Sequence, residues 1–341
     1  MDVDHAQKKA PRVSAIIISW NTRELLDACL ASLAANDVTG GLETIVVDNG
    51  SADGSADWVE SHFPDATLIR NRDNAGFARA CNQGYDASRS EFVLLLNSDT
   101  VVPPDALEKT LAFLDAQPSV GAVGCRQVFS DGRLQSTCFR FPTLRAVVQN
   151  ALYLGQAWPD SPLLNWSRYG TEDFAEARPV DCVAGSFLLL RRAAVGGELF
   201  DRGYFMYGEE ADLLYRLHRA GNPTFYLPDV EIVHHHSGSS KRPGVGAWAY
   251  EAKQRAILRF LWKWRGVAVA SLANAVMLLA TLPRAAGWVL SDLIGIVRGQ
   301  QSGWERALKC RALGFHARAS LSPACFDEDW APDFGPPPDD R

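Results

Sequence analysis

The first hundred residues alternate short apolar runs with segments in which apolar side chains recur every three or four positions. Val13–Ser19 (VSAIIIS) is a β-branched apolar run, as expected of a buried parallel strand. In Thr22–Ala35, the spacing of Leu26, Cys29 and Leu33 predicts a helix. The same patterns predict strands at Thr44–Val47, Thr67–Arg70 and Phe92–Leu96, and helices at Ser55–Phe63 and Phe77–Ala87. This alternation predicts the α/β class, with an open, mostly parallel sheet and right-handed crossovers.

The pattern is less regular after residue 100. Residues 150–180 are rich in Trp, Pro and charged side chains, which predicts a loop-dominated insertion. Apolar runs predict further strands at Val120–Cys125, Val183–Leu190, Thr224–Leu227 and Val230–Val233. Phe205–Arg216 predicts a helix whose first turn carries three carboxylates, where the helix dipole favours negative charge.

Polar residues follow several of the predicted strands. They are Trp20–Asn21, Asp48–Ser51 and Asn97–Asp99. Ligands of open α/β sheets bind at the carboxyl ends of the strands, so these residues form the candidate site. The first turn, SWNTRE, lacks the glycine-rich pattern that holds a diphosphate at a helix N-terminus. A bound nucleoside diphosphate would therefore need a divalent metal, and Mg²⁺ or Mn²⁺ suits a carboxylate at a strand end.

Several motifs occur together in one order, which is more specific than any one of them. They are SWN, DNGS, NRDNAGFARACNQG, LLLNSD, DCVAGSFLLLRR, FMYGEEADLLYRL and VHHHSGSS. Over roughly residues 13–260 the series resembles the inverting GT-A-fold glycosyltransferases of the large family 2, most closely the bacterial rhamnosyltransferase-like branch. The resemblance implies a GT-A fold with a mostly parallel, Rossmann-like nucleotide-binding sheet. It also implies transfer of a sugar from a nucleotide-diphospho-sugar donor.

The resemblance implies roles for individual residues. Those expected to bind the nucleotide-sugar are Ser19, Trp20, Asn21, Asp48, Ser51, Asn74, Gly76, Phe77, Asn82, Asn97 and Ser98. Asn97–Asp99 corresponds to the family's DxD-type metal motif with Asn in place of the first acid, so Asp99 is the expected metal carboxylate. Among the three consecutive histidines, His235 fits the family's spacing best as a second metal ligand, and His234 comes next.

The acidic cluster matches the family's ED-x-D-L pattern, with Glu210 in place of the usual Asp. Glu210 is therefore the expected catalytic base, while Asp212 and Glu209 stay open as alternatives. In a single inverting displacement, an ionised carboxylate removes the proton of the acceptor hydroxyl. A divalent cation stabilises the charge that develops on the leaving diphosphate. Two acidic clusters far apart in the sequence match these two tasks.

Five further residues resemble family positions near the donor phosphates, the sugar or the acceptor. They are Arg126, Gln135, Arg140, Asp181 and Ser186.

Two other classes of protein stay open. One is a noncatalytic protein that binds carbohydrate or lipid on a degenerate transferase fold. Asn97 and Glu210 suggest it, because both depart from the residues that the family's motifs usually have there. A nucleotidylyltransferase shares the α/β sheet, but those enzymes usually carry a glycine-rich activating loop that SWNTRELL lacks.

The charge and the cysteine content limit which partners the protein can bind and in which compartment it works. The 34 Lys and Arg against 40 Asp and Glu give a net charge of −6, which excludes a general nucleic-acid binder. The seven cysteines are scattered and form no Cys-x-x-Cys pair, so neither a disulfide framework nor a zinc ribbon is predicted. No apolar segment precedes the first strand, which predicts the absence of a signal peptide and a cytoplasmic enzyme.

The basic residues concentrate near the C-terminus. Val267–Leu282 has 16 residues without a charge, and as a helix it would span about 24 Å, short of the hydrocarbon core of ~30 Å. The preceding RFLWKWR (residues 259–265) interleaves cations with Trp, as helices in the headgroup region do. We therefore expect peripheral attachment to the inner face of the cytoplasmic membrane. The alternative is that these helices pack on the catalytic domain or on a second subunit of a homo-oligomer.

These inferences define an organisation and a function. We expect a flexible tail over residues 1–12, a catalytic domain over 13–250 divided into nucleotide-sugar (13–125) and acceptor (126–250) halves, helices over 251–320 and a disordered acidic tail over 321–341. The expected activity is metal-dependent inverting transfer of L-rhamnose from dTDP-L-rhamnose, with a UDP-sugar as the alternative donor. The expected acceptor is a hydroxyl of a glycan, free or linked to polyprenyl diphosphate, in the synthesis of cell-envelope polysaccharide.

Overall fold

A mixed β-sheet lies at the centre of the protein. The structure, a computed structural model, describes residues 10–169, 174–235, 245–297 and 311–327. Its strands are β1 (Val13–Ser19), β2 (Leu42–Asp48), β3 (Thr67–Arg70), β4 (Phe92–Asn97), β5 (Thr100–Val101), β6 (Ala122–Val128), β7 (Cys138–Phe139), β8 (Arg178–Val180), β9 (Cys182–Val183), β10 (Phe187–Arg191) and β11 (Thr224–His234). Within the described ranges, nine of these strands form one sheet in the order β3-β2-β1-β4-β10-β6-β11-β5, and β8 also pairs with β11.

The strand directions follow from the short β-α connections of the N-terminal half. Strands β3, β2, β1 and β4 are mutually parallel, and β6 is parallel to β11. Strand β10 lies between β4 and β6 and is antiparallel to both. The expected α/β class with a mostly parallel sheet is therefore confirmed.

Helices cover both faces of the sheet and continue to the C-terminus. They are α1 (Arg23–Ala34), α2 (Ser55–His62), α3 (Phe77–Ala87), α4 (Ala106–Ala116), α5 (Leu144–Ala151), α6 (Leu154–Ala157), α7 (Arg192–Val195), α8 (Glu209–Arg219), α9 (Val245–Arg265), α10 (Val267–Val297) and α11 (Arg311–Leu321). Short 3₁₀ turns occur at Trp166–Arg168 and Pro323–Phe326. The helical C-terminus that the apolar pattern predicted is present.

Strand β11 is one strand where the sequence predicts two. Its pairing with β6 is interrupted between Leu227 and Glu231, where the register shifts. Pro228 lies in this interval, and a proline cannot donate a hydrogen bond to the neighbouring strand. The polar interruption at Pro228 and Asp229 is therefore an irregularity within a continuous strand and not a turn.

The C-terminal helices share a hydrophobic core with the sheet. Ile16 and Leu95 of the sheet belong to the same buried cluster as Phe260 of α9, Ala273 of α10 and Phe315 of α11. On the other face of the sheet, the buried side chains of β1 and β4 pack against α1 and α4. The predicted boundary at residue 250 falls inside α9, so this helix begins in the expected catalytic domain and continues into the expected helical segment.

Two cations of the RFLWKWR segment at the end of α9 pair with acidic side chains of the protein. Arg259 is buried, and its guanidinium pairs with Asp201 at 2.9 Å and with Asp327 at 3.0 Å. Lys263 Nζ donates to the same Asp201 carboxylate at 2.7 Å. These two cations therefore form ion pairs within the protein, and contact of this segment with lipid headgroups stays a prediction. Composition alone does not distinguish an anionic membrane from an acid-lined interior.

Helix α10 continues through Pro283 where the sequence predicts a helix end. Thr281 and Ala285, on either side of the proline, are both buried. This packing offsets the cost of an interior proline, about 3 kcal/mol. Val267–Ser291 is consequently an apolar helical stretch of 25 residues with a mean hydropathy of 1.5. Of its most apolar part, 28% is buried inside the protein. At ~1.5 Å per residue this stretch is long enough to cross a bilayer, so the expectation that it is too short is wrong.

The predicted disordered tail begins with a packed turn. Phe326 of the Pro323–Phe326 turn is buried in the core cluster that contains α9, and Asp327 pairs with Arg259. The expectation of disorder is therefore wrong for residues 321–327, because an aromatic side chain and an ion pair hold them. At the other end, Arg12 of the predicted N-terminal tail pairs with Asp115 at 2.5 Å. Residues 1–9 and 328–341 lie outside the described residues.

The ionised form of Asp201 should stabilise the docking of α9. Burial opposes ionisation, but hydrogen bonds from Lys263 and the Gly203 N–H and the charge of Arg259 outweigh it and lower the pKa of Asp201 to about 2. A carboxylate with a lowered pKa stabilises the fold above its unfolded pKa of about 3.9, and this contribution is lost as the pH falls towards 2. In urea unfolding, Asp201→Asn should therefore be less stable than the wild type at pH 6, by about 2 kcal/mol, with a smaller difference at pH 3.

The exposed ion pair between Asp131 and Arg133 provides a control for this measurement. Because exposed pairs contribute little, Asp131→Asn should change the unfolding curve little at either pH. Equal stabilities of the wild type and Asp201→Asn at pH 6 would contradict the role of the ion pairs in holding α9.

Candidate active site

The predicted site residues converge because three neighbouring strands end at the same edge of the sheet. Strand β1 lies between β2 and β4, with Ser19 opposite Asp48 and Ile18 opposite Asn97 in the two parallel registers. The residues after these strands therefore lie side by side, as the sequence predicted. Their local contacts distinguish the side chains that face a ligand from those that support the loops.

The loops after β1 and β2 are joined by hydrogen bonds. Asn21 adopts a left-handed backbone conformation, which Asn tolerates better than most residues. Its backbone N–H donates to Ser51 Oγ at 2.8 Å, and its side-chain oxygen accepts from the Ala52 N–H at 2.7 Å. Asn21 and Ser51 thus hold the two loops together at the edge where Trp20 lies.

Asp48 presents an acceptor to this edge. Its Oδ2 accepts from the Ser51 N–H at 3.0 Å. Its Oδ1 is buried and has no hydrogen-bond partner among the described residues. An unsatisfied buried carboxylate oxygen is costly, and an N–H or O–H of a nucleoside would satisfy it. The Asp48 carboxylate therefore fits the binding role that the resemblance implies.

Ser19 and Ser98 lie beneath this surface. Thr22 Oγ1 is 2.8 Å from Ser98 Oγ and 3.2 Å from Ser19 Oγ, so three hydroxyls connect β1, the start of α1 and the end of β4. Ser19 is fully buried, which corrects the expectation that its side chain contacts the nucleobase. Ser98 is also buried, and the bonded hydroxyls support the strand ends from below.

The segment before α3 connects the nucleotide edge to the acidic cluster. Asn74 Oδ1 accepts from Asn49 Nδ2 at 2.8 Å and from the Gly76 N–H at 2.9 Å. Gly76 has a φ of +87°, and a Cβ there would lie 2.7 Å from the Phe205 carbonyl oxygen. The Phe77 N–H donates to that same oxygen at 2.8 Å. The loop that precedes α8 is thereby attached to the start of α3.

Asn82 has a supporting role instead of the expected contact with the nucleotide-sugar. Its Nδ2 donates to the Phe200 carbonyl at 2.8 Å, and its Oδ1 accepts from the Phe200 N–H at 2.8 Å. The side chain is buried, so both ends of the amide are engaged inside the protein. The sequence motif located Asn82 near the site, but only the packing of residue 200 shows where its amide points.

Asp99 and His234 face each other at the end of β4. Asp99 Oδ1 lies 3.3 Å from His234 Nε2, and Asn97 Nδ2 lies 3.5 Å from the same nitrogen. Within the described ranges, no group of three or more His, Cys, Asp or Glu side chains is placed to hold a metal by itself. A carboxylate and an imidazole nevertheless fit a cation such as Mg²⁺ or Mn²⁺, whose remaining positions go to substrate phosphates and water.

His235 does not share this position. Its ring Nδ1 lies 2.8 Å from Ser130 Oγ, and its backbone N–H donates to the Asp99 carbonyl at 2.9 Å. Consecutive residues at the end of a strand point to opposite sides, so only one of the pair faces Asp99. The order of preference from sequence, with His235 ahead of His234, is therefore reversed. His236 lies outside the described residues.

The acidic cluster begins helix α8 after a strained turn. Tyr207 and Gly208 have φ values of +71° and +82°, and such a conformation is uncommon for a bulky residue such as tyrosine. Glu209 is buried, whereas Glu210 is partly exposed. Burial raises the pKa of both side chains, and the neighbouring charge of Glu210 raises the pKa of Glu209 further, well above the ordinary value.

The two glutamates therefore differ in protonation. Hydrogen bonds from the Glu210 and Gly208 N–H groups and from the Glu209 carboxyl, with the charge of Lys253, oppose the effect of burial on the pKa of Glu210. Glu209 is consequently the partner that holds a proton more strongly, and Glu210 is the one that ionises more readily. A general base must be able to take up a proton, and one Glu210 carboxylate oxygen, Oε2, is buried with no hydrogen-bond partner among the described residues.

Asp212 is not placed to act as the base. It is fully buried, and its carboxylate accepts from Trp264 Nε1 at 2.7 Å and from Lys263 Nζ at 2.9 Å. Asp212 points towards α9 because it lies two residues beyond Glu210 on the helix. This corrects the expectation that Asp212 could replace Glu210.

Phe205 and Tyr207, the aromatic residues that flank the acidic cluster in the sequence, are joined there by Trp248. The Trp248 ring of α9 lies 6.2 Å from the rings of both Phe205 and Tyr207. Lys253 Nζ lies 4.7 Å from the centre of the Tyr207 ring. Trp248 and Lys253 come from α9, outside the family motifs, so only the docking of that helix brings them to the site.

The five residues with the weakest sequence support are engaged with protein groups. Arg126 pairs with Glu231 at 2.8 Å, and Ser186 Oγ donates to Gln127 at 2.7 Å. Asp181 accepts from the Phe141 N–H, and the Arg140 guanidinium lies over the Tyr169 ring. Gln135 bonds to His234, so it is the member of this group that reaches the candidate site.

Comparison with known proteins identifies the family to which these features belong. The family described as glycosyl transferase family 2 matches residues 14–196. An N-acetylglucosaminyl-diphospho-decaprenol L-rhamnosyltransferase of Mycobacterium tuberculosis is 30% identical over 241 residues, which span 67% of this chain and 77% of the relative. An N-acetylglucosaminyltransferase of Rhizobium meliloti is 28% identical over 239 residues, or 65% of this chain and 51% of the relative.

Solved structures share the fold at low sequence identity. A mannosyltransferase of Pyrobaculum calidifontis, in complex with GDP-mannose and Mn²⁺, is 19% identical with a TM-score of 0.50, and the match covers 92% of this chain and 88% of that one. GalNAc-T7 with UDP, GalNAc and Mn²⁺ is 12% identical with a TM-score of 0.54, over 75% of this chain and 48% of that one. Together with the site at the strand ends, the family match shows that the chain is a glycosyltransferase with the GT-A fold and belongs to glycosyltransferase family 2.

Proposed function

We propose that this glycosyltransferase transfers L-rhamnose from dTDP-L-rhamnose to a hydroxyl of a glycan that is linked to polyprenyl diphosphate. The observation that carries the donor and acceptor classes is the identity of 30% to a relative named N-acetylglucosaminyl-diphospho-decaprenol L-rhamnosyltransferase. The separation of Asp99 with His234 from Glu210, on two different elements, supports the chemistry. A UDP-sugar donor is the second candidate, favoured by the N-acetylglucosaminyltransferase relative at 28% identity.

In the proposed reaction, Glu210 accepts the proton of the acceptor hydroxyl as the oxygen attacks the anomeric carbon. The bond between that carbon and the diphosphate oxygen breaks, and the configuration inverts. Glu209 keeps its proton and donates a hydrogen bond to Glu210, which holds the base in place. Asp99 and His234 would hold a divalent cation, Mg²⁺ or Mn²⁺, that supplies Lewis-acid stabilisation of the leaving diphosphate.

The donor nucleoside is proposed to bind along the edge formed by the ends of β1 and β2. Asp48 supplies the unpartnered carboxylate oxygen, and Trp20, Asn21 and Ser51 border it. Phe205, Tyr207 and Trp248 form an aromatic wall beside Glu210, which suits stacking against a sugar ring of the acceptor.

Peripheral contact with the inner face of the cytoplasmic membrane is part of the proposal, and α10, which contains the apolar run that the sequence indicated, supplies the surface. The outer face of α10 exposes large apolar side chains, namely Val267, Leu272, Leu279, Leu282, Val289, Leu290, Leu293 and Ile294. Exposed Leu152, Tyr153, Trp158 and Leu163 belong to the insertion beside α10. Arg284 of α10 joins the two regions, since it donates to the Ala151 carbonyl at 2.8 Å and lies over the Tyr153 ring. Apolar surface of this extent marks an interaction site.

The paired glutamates provide a direct test of the base. Glu210→Gln should lower kcat by about 10²- to 10⁴-fold, because it removes the group that accepts the proton. Glu209→Gln should keep most of the activity, since its amide still donates to Glu210. The measurement is transfer of rhamnose to a lipid-linked acceptor, with donor binding by thermal shift as the control for folding. Unchanged turnover in Glu210→Gln would favour a different base or the noncatalytic alternative.

The pH dependence follows from the same pair. Transfer needs ionised Glu210, and burial raises the pKa of this side chain. Activity should therefore fall on the acid side at a higher pH than the value of about 4.3 for an ordinary glutamate. In Glu209→Gln, activity should still fall on the acid side at a pH above the ordinary glutamate pKa of about 4.3. If the activity of the wild type instead falls near that pH, the buried environment of Glu210 is contradicted.

The donor can be identified by binding. A ligand that binds only the folded state at 100 times its Kd stabilises the protein by about 2.7 kcal/mol. With Mn²⁺ present, dTDP-L-rhamnose should therefore raise the Tm by a few degrees, and UDP-glucose and UDP-N-acetylglucosamine should raise it less. The reverse order would replace rhamnose by a UDP-sugar in the proposal. Asp99→Ala should abolish the dependence of the shift on Mn²⁺.

Membrane contact can be measured by flotation with phosphatidylglycerol vesicles. Leu279→Glu combined with Leu290→Glu should reduce binding by about 10²- to 10³-fold, because burial of each leucine in lipid contributes about 2 kcal/mol and about 1.4 kcal/mol is tenfold. Leu134→Glu is a matched control, since Leu134 and Leu290 are 57% and 58% exposed but Leu134 lies in the β6–β7 connection. If the wild type does not float with the vesicles and forms a dimer that the double variant does not form, this surface is the interface of a homo-oligomer.

A further inference from the structure

His234 is held from behind by Gln135, which lies between β6 and β7. The Gln135 side chain makes two hydrogen bonds to the same residue. Its Nε2 lies 2.5 Å from the His234 carbonyl oxygen, and its Oε1 lies 3.0 Å from His234 Nδ1. The Gln135 backbone N–H donates to the Gln127 carbonyl at 2.9 Å, which attaches the glutamine to β6. Both Gln135 and His234 are buried.

This geometry determines which ring nitrogen of His234 carries a hydrogen. A backbone carbonyl can only accept a hydrogen bond, so the Gln135 atom beside it must be the amide NH₂. The Gln135 oxygen then faces Nδ1, and because this oxygen also only accepts, Nδ1 must be the donor. In a neutral imidazole the other nitrogen has a lone pair, so Nε2 presents an acceptor to its surroundings.

The Nε2 lone pair points to a second acceptor. Asp99 Oδ1 lies 3.3 Å away and Asn97 Nδ2 lies 3.5 Å away, so the imidazole nitrogen faces a carboxylate oxygen with the Asn97 amide beside them. Two acceptors in this arrangement are a natural ligand pair for a divalent cation. His235 lacks a comparable restraint, because the Ser130 hydroxyl beside its Nδ1 can either donate or accept.

We propose that Gln135 is the positioning residue of the metal site: it holds His234 in the Nδ1–H tautomer and directs Nε2 towards Asp99, so that the pair binds a divalent cation together with the donor diphosphate. The inference rests on the proposed function, in that it takes Asp99 and His234 as the metal ligands. Residues that orient a histidine ligand through its second nitrogen typically change metal affinity by about 10- to 100-fold when they are replaced.

The first experiment measures metal binding without catalysis. Mn²⁺ is titrated into the full chain, alone and with dTDP, and free Mn²⁺ is followed by electron paramagnetic resonance. Gln135→Met, which removes both hydrogen bonds, should weaken Mn²⁺ binding about 10-fold or more. Gln135→Glu keeps an acceptor for Nδ1–H but places a carboxylate oxygen against the His234 carbonyl in place of the amide donor, so it should recover only part of the wild-type affinity.

Gln149 provides a matched control. Gln149 and Gln135 are each 7% exposed, and the Gln149 amide also donates to a backbone carbonyl, that of Leu163. Gln149→Met should therefore carry the general cost of losing a buried glutamine and leave Mn²⁺ affinity unchanged. If Gln135→Met and Gln149→Met bind Mn²⁺ equally well, Gln135 has only a structural role and the proposal is wrong.

The second experiment needs neither a metal nor a stable variant at position 135. Long-range ¹H–¹⁵N correlation spectra of the metal-free wild type report the tautomer of each histidine ring, and His234→Gln identifies the signals of His234. We expect the Nδ1–H tautomer, and an Nε2–H tautomer would overturn the proposal. Because no donor is present, this result is independent of the rhamnose assignment. A correct tautomer with no Mn²⁺ binding in the wild type would instead refute the metal dependence of the proposed function and, with it, the positioning role.

Discussion

The arrangement of this enzyme depends on the need to place three carboxylates in the first turn of one buried helix. Like charges so close together cannot all be ionised in a poorly solvated environment without compensation. Helix α8 meets this constraint in three ways. Asp212 is neutralised by Lys263 and bonded by Trp264. Burial and the charge of Glu210 raise the pKa of Glu209 well above its ordinary value, which favours its protonated form. Glu210 is a partly exposed residue beside the aromatic wall. The docking of α9 is a direct consequence, because it supplies the cation that Asp212 requires.

Much of the architecture could be predicted from the sequence because it depends on local patterns. Strands β1 and β4 are apolar runs whose ends carry Asn and Asp, and parallel pairing alone brings those ends together. The location of the site therefore follows from periodicity and topology. The acidic cluster at residues 209–212 is visible for a similar reason, since helix starts favour carboxylates.

The roles of single side chains could not be predicted in the same way, because they depend on contacts between distant segments. Asp212 and Glu210 are equivalent by residue type, and only the position of α9 shows that one is covered and the other is not. His234 and His235 differ by one step along a strand, which reverses the direction of the ring. The basic and aromatic composition of residues 259–265 suits lipid headgroups and buried carboxylates equally well, and only the structure shows the ion pairs with Asp201.

The two successive helices α9 and α10 separate two surfaces with different chemistry. Helix α9 is attached to α8 by the Lys263–Asp212 ion pair and the Trp264–Asp212 hydrogen bond, and α10 packs on α9 with its apolar outer face exposed. If that outer face lies in the bilayer as proposed, Glu210 is held at a fixed height above the headgroups, because side-chain contacts join α8 directly to α9 and α9 to α10. The enzyme would then select acceptors by length. Only a sugar hydroxyl whose distance from the membrane equals the height of Glu210 could reach the base, whatever the identity of the sugar.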